Sequence, residues 1–438
     1  MDKKITRRDF VKGVTAVAGT AAAAGVVGTA TSTMSAEMKS MGTTHEGMKP
    51  MEIGHGAGMH MDRDITVDRF PRYDPNARYS PPPPLLGKQM GKVHTLSQPP
   101  LGYEMDGNVK VFRLIAQPVR VAITKGSSEE LKNMINKNTQ GPYTRFRSMP
   151  TFPKEMLAWG FNGICPGPTI EATEGDRIRV IFKNELPEPT SIHWHGVELP
   201  FAQDGAAGYY DFNADRPVLP GGTHVYEFTL YQSGTLMYHT GFNMMKQEGM
   251  GQAGLLVVHP KEYPHKIDKD FAILLQQWDL VPDNVNPILT SMEVKFATFN
   301  GKTAPDIEMM TVKQGERVRI RIGNLSLMAH PIHLHGYIFK IVGTTGGPIP
   351  ESAQWPEVTV NVPPGSSRDI EFVAWNPGTW RFHCHILHHI MNAMTDMPMG
   401  IGGAGGMFTH LHVIPTDPNY DPRNPKAPWK HPSQKEVG

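Results

Sequence analysis

Gly175-Asp176-Arg177-Ile178-Arg179-Val180 and Gly315-Glu316-Arg317-Val318-Arg319-Ile320 are two versions of one segment. In each, arginines alternate with Val or Ile, the period of a strand with one apolar face. The likeness continues downstream. Asn184 matches Asn324, and nine residues after each asparagine stands a histidine, His193 or His333. Two residues further stands another, His195 or His335. A second block repeats with identical gaps: Glu227-Phe228, Gly234-Thr235 and His239 against Glu371-Phe372, Gly378-Thr379 and His383. Repetition of this fidelity implies two copies of one domain, about 105–262 and 263–415. Short alternating runs broken by Gly and Pro make both all-β sandwiches.

The copies differ where chemistry is concentrated. The second contains His383-Cys384-His385-Ile386-Leu387-His388-His389-Ile390-Met391-Asn392-Ala393-Met394. A thiolate, an imidazole five residues on and a thioether five beyond form the ligand set of a blue copper site, with a long axial Met. His330, Cys384, His389 and Met394 are its candidate ligands; spacing favours His389 over the adjacent His388. On a strand, Cys384 points to one face and His383 and His385 to the other, so one segment can serve two metal sites back to back. In the first copy Thr190, Thr240 and Gly241 replace His330, Cys384 and His385. That copy therefore lacks a sulfur site. In each His-x-His pair the two rings share one strand face, and neutral imidazoles suit copper.

The 438 residues carry a formal charge of +1, which points to no nucleic acid or polyanionic partner. With Cys384 committed to a metal, Cys165 has no disulfide partner and reads as a small buried residue. Residues 1–36 read as a signal peptide: Arg7-Arg8 within Thr6–Lys12, then an Ala/Gly-rich stretch, suggest twin-arginine export to the periplasm or another extracytoplasmic place. No segment is long and apolar enough to span a bilayer. Residues 37–104 read as a disordered Met/His-rich tail and Pro-rich linker, either a loose copper-binding tail or a spacer. Residues 416–438 read as a C-terminal tail.

His193-Trp194-His195-Gly196, His330-Pro331-Ile332-His333-Leu334-His335-Gly336 and the His383-Cys384-His385 run resemble three of the four copper motifs of the multicopper oxidases. This laccase-like family is built of Greek-key cupredoxin sandwiches. The likeness covers about 105–415 and is greatest to short two-domain bacterial members, some credited with manganese oxidation or copper tolerance. It implies a type 1 copper that takes electrons singly from a reductant such as cuprous ion, a phenol or another metal ion. It also implies a trinuclear cluster that reduces O2 to water, for up to four coppers per chain. By motif, His193 and His333 would bind the type 2 copper, and His195, His239, His335, His383 and His385 the type 3 pair. Asp204 resembles the family's acid near the cluster, a proton shuttle; capping its own loop is the other reading. Two-domain members share such clusters between subunits of a homotrimer, though a cluster closed within one chain is the alternative.

The fourth motif departs from the family. His239-Thr240-Gly241 stands where His-x-His is usual, so one type 3 copper loses a ligand. A water, Asn243 or Met244 could substitute, or fewer coppers could bind. Two further readings follow: reduction of nitrite at a single type 2 copper, and a copper-binding or electron-transfer protein with an incomplete cluster. Met391, Met397 and Met399 either guide Cu(I) or pack flexibly around the copper loop.

Overall fold

A computed structural model describes residues 91–123, 155–207, 216–280, 286–289, 296–390 and 405–433. They all belong to one compact unit. The signal-like segment, the Met/His-rich stretch to residue 90, and Met391, Met394, Met397 and Met399 also fall outside the described residues.

The described strands form four sheets stacked in four layers. The first holds Val109–Ala122, Arg177–Asn184 and Thr223–Thr229, with Glu104–Asp106 and Glu155–Phe161 at its margin. It packs on a sheet ordered Gly167–Thr173, Ala253–His259, Gly234–Thr240, Ile192–His195 through a core that includes Phe112, Phe182, Trp194 and Leu236. This is the first sandwich. The third sheet is built around Lys269–Trp278, Arg317–Asn324, Ser366–Val373 and Phe339–Thr344. The fourth runs Met310–Lys313, Phe408–Ile414, Gly378–Cys384, His330–Leu334, Thr359–Val362. Ile320, Phe339, Phe382 and Leu411 lie between them. Met237, Leu255 and Val257 of the second sheet meet Ala272 and Leu274 of the third, which joins the two cupredoxin-like sandwiches.

The repeated segments occupy equivalent strands. Arg177–Asn184 lies parallel to one neighbour and antiparallel to Thr223–Thr229; Arg317–Asn324 does the same with Lys269–Trp278 and Ser366–Val373. The recurring asparagine has a physical reason. The Asn184 amide donates to the carbonyls of Glu188 and Val218 at 2.9 and 2.8 Å, and that of Asn324 to Met328 and Val362 at 2.8 Å each. Each buried amide braces the loop that delivers a histidine-bearing strand.

Two differences from the sequence reading stand out. Residues 91–104, assigned to a flexible linker, include a short strand, His94–Thr95, that pairs in parallel with Phe271 and Ala272 of the second sandwich. Val93, Leu96 and Leu101 are buried there, an anchorage of isolated apolar residues too sparse to show a period. The alternating arginines of Arg317–Asn324 also suggest a wet face, yet Arg321 is 1% exposed. The neighbouring sandwich and the connection through Tyr263 cover it, and Asp270 and Asp369 pair with it.

Candidate metal centre

Cys384 ends the strand Gly378–Cys384 with its side chain in the core of the second sandwich. His330, on the adjoining strand, shares that inner face, and His389 arrives from the one-turn helix Leu387–Ile390. The Cys384 sulfur lies 3.7 Å from His330 Nδ1 and 3.5 Å from His389 Nδ1, and the two nitrogens are 3.1 Å apart. Three donors each about 2.1 Å from one ion would stand roughly 3.6 Å from one another, so this triangle fits a metal. Sulfur with two nitrogens is a donor set for copper. His388 is exposed and lies outside the triangle.

Outer partners aim the rings. Ser326 Oγ lies 2.8 Å from His330 Nε2. Behind His389 Nε2, at 3.2 Å, stands the Gln277 amide, whose own oxygen is buried without a partner among the described residues. Turned over, that amide offers its oxygen to the Nε2 proton, and both needs are met. Each Nδ1 lone pair is then free to face the sulfur. Burial holds His330 down to about 3 and His389 to about 4, and it pushes the Cys384 thiol up to about 12. The rings are neutral at ordinary pH, and a metal must displace only the thiol proton.

On the opposite face of the same strands, His383 stands across from His333. His333 Nδ1 lies 2.6 Å from the Val358 carbonyl, and His383 Nδ1 2.8 Å from the Cys384 carbonyl. Both Nε2 atoms are therefore presented outward. His335 Nε2 and His383 Nε2 approach to 3.1 Å, and the His385 ring is 5.5 Å from that of His333.

The first sandwich gathers a second set. The ligand atoms of His193, His195 and His239 lie within 4.8 Å of one another. His239 Nδ1 is 2.9 Å from the Thr240 carbonyl, as His383 is held by Cys384. Asp204 follows the turn Phe201–Gln203, with its carbonyl 3.0 Å and its carboxylate 3.4 Å from His193 Nδ1. Glu248, which nothing in the sequence marks, stands 3.7 Å behind His239 Nδ1, and burial lifts its carboxyl to about 7. At the place equivalent to the sulfur site, Gln247 Oε1 accepts from Thr190 and Thr240 at 2.7 and 2.6 Å. This knot is buried and uncharged.

Gly241 holds the backbone place of His385: its N–H reaches the Ser191 carbonyl as His385 N–H reaches that of Pro331. A Cβ at Gly241 would lie 1.9 Å from the Gly205 carbonyl oxygen and 2.9 Å from Ser191 Oγ. No side chain fits. Gly241→His is expected to lose about 1–3 kcal/mol of stability through overpacking without raising the copper content. Urea unfolding and metal analysis check this, and a gain of copper would contradict the packing argument.

The buried imidazoles also set a pH dependence. His239 is held by burial to about 3, alongside His330 and His389. An unfolded histidine titrates near about 6.5. Between the folded and unfolded values the unfolded chain binds more protons, so stability is complete above about pH 6.5 and falls as pH drops toward 4. The slope is about 1.4 kcal/mol per pH unit for each ring. The urea midpoint of the copper-free chain should fall across that window; a flat profile would show the rings protonated in the fold.

Two such donor sets, one built on a buried cysteine, sit on strands that repeat through both sandwiches. The chain belongs to the multicopper oxidase family: family profiles described as multicopper oxidase match residues 147–263 and 280–397. It is 31% identical over 264 residues to a probable nitrite reductase–hydroxylamine oxidoreductase fusion protein of Kuenenia stuttgartiensis, covering 54% of this chain and 28% of that one. It is 40% identical over 128 residues to copper resistance protein A of Pseudomonas syringae pv. tomato, covering 28% of this chain and 20% of that one. The chain thus spans under a third of either relative's length. Among solved structures, the multicopper oxidase mgLAC superposes with a TM-score of 0.56 at 26% identity, covering 71% of this chain and 91% of its own, and a blue copper oxidase from Nitrosomonas europaea with a TM-score of 0.54 at 25% identity, covering 69% of this chain and 85% of its own.

Proposed function

We propose that the protein is a copper-dependent oxidase that accepts electrons singly at the Cys384 site and delivers them to O2 at a cluster shared between subunits of a homotrimer. Copper supplies the one-electron steps and the reduction of O2; the chain supplies donors, spacing and protons. Cys384 shares a strand with His383 and a peptide bond with His385, so the two sites are covalently adjacent. Asp204, whose carboxylate lies 3.4 Å from His193 Nδ1, supports the reading of a proton relay at the cluster rim. Phenols, cuprous ion and other reduced metal ions fit the donor role, and Arg7-Arg8 supports export by the twin-arginine route.

The layering carries the trimer reading. His193, His195 and His239 belong to the second sheet, and His333, His335, His383 and His385 to the outer face of the fourth. Packed sheets stand about 10 Å apart, so the two sets are separated by roughly 20 Å of protein. Among the described residues no hydrogen bond or ring contact joins them. A second copy can bring its first-sandwich set onto the outer face. Exposed Phe201 and Val225 lie on the first sandwich and exposed Val358 beside His333, apolar surface that such a contact would cover.

Copper analysis, oxygen uptake and solution mass of the loaded full chain test the reading. A trimer holding several coppers per chain and consuming oxygen with a phenol or Cu(I) is expected. A monomer holding one copper and consuming none would reject it and leave electron transfer as the function. Nitrite reduction is the second reading, favoured by the printed name of the Kuenenia relative; nitric oxide formed from nitrite under anaerobic reduction would establish it.

A further inference from the structure

We infer that the junction between the two sandwiches holds a binding site for a small neutral alcohol carrying a single ring. The site is independent of the copper reading. A cavity of about 250 Å³ opens there, between Gly234 and Val258 of the first sandwich and Arg319, Val342 and Glu371 of the second. Ile370 and Phe372 face the core that contains Cys384, so Glu371, between them on one strand, faces away from it. The cavity therefore lies on the far side of the third sheet from the sulfur site.

Buried Glu371 organises the polar end. It accepts from Arg319 Nε at 2.7 Å and from His265 Nε2 at 2.7 Å. A carboxylate only accepts, so Nε2 carries the proton, and the neutral ring keeps its lone pair on Nδ1. The Arg319 guanidinium is fixed on its other side by the Tyr263 ring, 4.4 Å from the centroid. Among the described residues neither His265 Nδ1 nor Arg319 Nη1 has a hydrogen-bond partner, although Arg319 is only 8% exposed. Both residues line the cavity. An acceptor and a donor thus flank one carboxylate, and a hydroxyl is the group that donates to the first while accepting from the second.

The other walls define the body of the ligand. Pro260, Val342, Pro348, Ile349 and Pro350 give rigid apolar faces on which a ring packs. The volume is below the roughly 300–1,000 Å³ of sites for drug-sized molecules, and it suits one ring with a short arm. Glu262, Glu351 and Asp369 also line the cavity, and with Glu371 they outnumber Arg319 and Arg321. That balance disfavours a carboxylate or phosphate. An ammonium has no lone pair to offer Arg319. A neutral hydroxyl satisfies both polar partners.

The probe is para-fluorobenzyl alcohol, titrated into copper-loaded full chain at about pH 8, where an ordinary histidine is neutral, and followed by fluorine NMR. Its methyl ether, which cannot donate, and para-fluorobenzylammonium would be titrated alongside. The wild type should bind the alcohol saturably. The ether should bind about tenfold more weakly, equivalent to about 1.4 kcal/mol, and the alcohol should lose a similar factor in His265→Phe. Val342→Phe, which fills the cavity, should abolish binding with the blue band and copper content unchanged. Absence of saturation in the wild type would overturn the inference. So would an ether bound as tightly as the alcohol, or an ammonium bound more tightly; both comparisons use the wild type and stand whether or not the variants fold. Full binding by Val342→Phe would place the alcohol elsewhere and overturn it too.

Discussion

Cys384→Ser is expected to bleach the copper-loaded protein and bring oxygen uptake to background. The intense absorption of a thiolate–copper centre, near about 600 nm, comes from charge transfer out of sulfur. A serine hydroxyl stays protonated at ordinary pH and gives no such band. The change is small in volume and sits in a fully buried position, so the sandwich should persist. His383 and His385 remain on the outer face, so the imidazole-bound copper should persist too. The variant should therefore lose one copper, its colour and its electron entry together, while its spin-resonance spectrum keeps only the signal of nitrogen-ligated copper. An unaltered colour and spectrum would remove Cys384 from the metal site and with it the proposed function.

The second large effect lies far from copper. Arg321 donates to Asp270 at 2.8 and 2.9 Å, to Thr235 and Tyr263 at 3.0 Å each, and meets Asp369 at 3.3 Å. These partners come from both sandwiches and the connection between them. Arg321→Met leaves the buried Asp369 and the part-buried Asp270 carboxylates without their shared cation. A loss of about 3–5 kcal/mol is expected, read as a lower urea midpoint. Neutralising the acids as well, in Arg321→Met/Asp270→Asn/Asp369→Asn, should recover much of it, because the penalty is uncompensated charge. Recovery by no triple variant would mean that the arginine acts through its hydrogen bonds to Thr235 and Tyr263.

Much of this was legible in the sequence, for reasons particular to these residues. Asn184 and Asn324 recur because each performs the same bracing, and a repeated structural duty leaves a repeated letter. Strand alternation sufficed to set Cys384 inward and His383 outward. What stayed hidden depends on who covers whom. Arg317–Asn324 alternates like a half-wet strand, and only the docking of the first sandwich makes Arg321 a core residue. Glu248 and Gln277 approach their histidines from other elements, at separations no local pattern encodes. The short strand at His94–Thr95 is set by its partner, Phe271–Ala272, rather than by its own composition.

Gly241 has a consequence for the history open to this protein. The Gly205 carbonyl occupies the volume that a Cβ at Gly241 would need, and Gly205 itself has no room for a side chain, since a Cβ there would strike the Ile192 carbonyl at 1.7 Å. Regaining the lost histidine would require the loop to withdraw first. A single codon change at position 241 would be harmful on its own, because the backbone of the Gly205 loop has to shift in the same step.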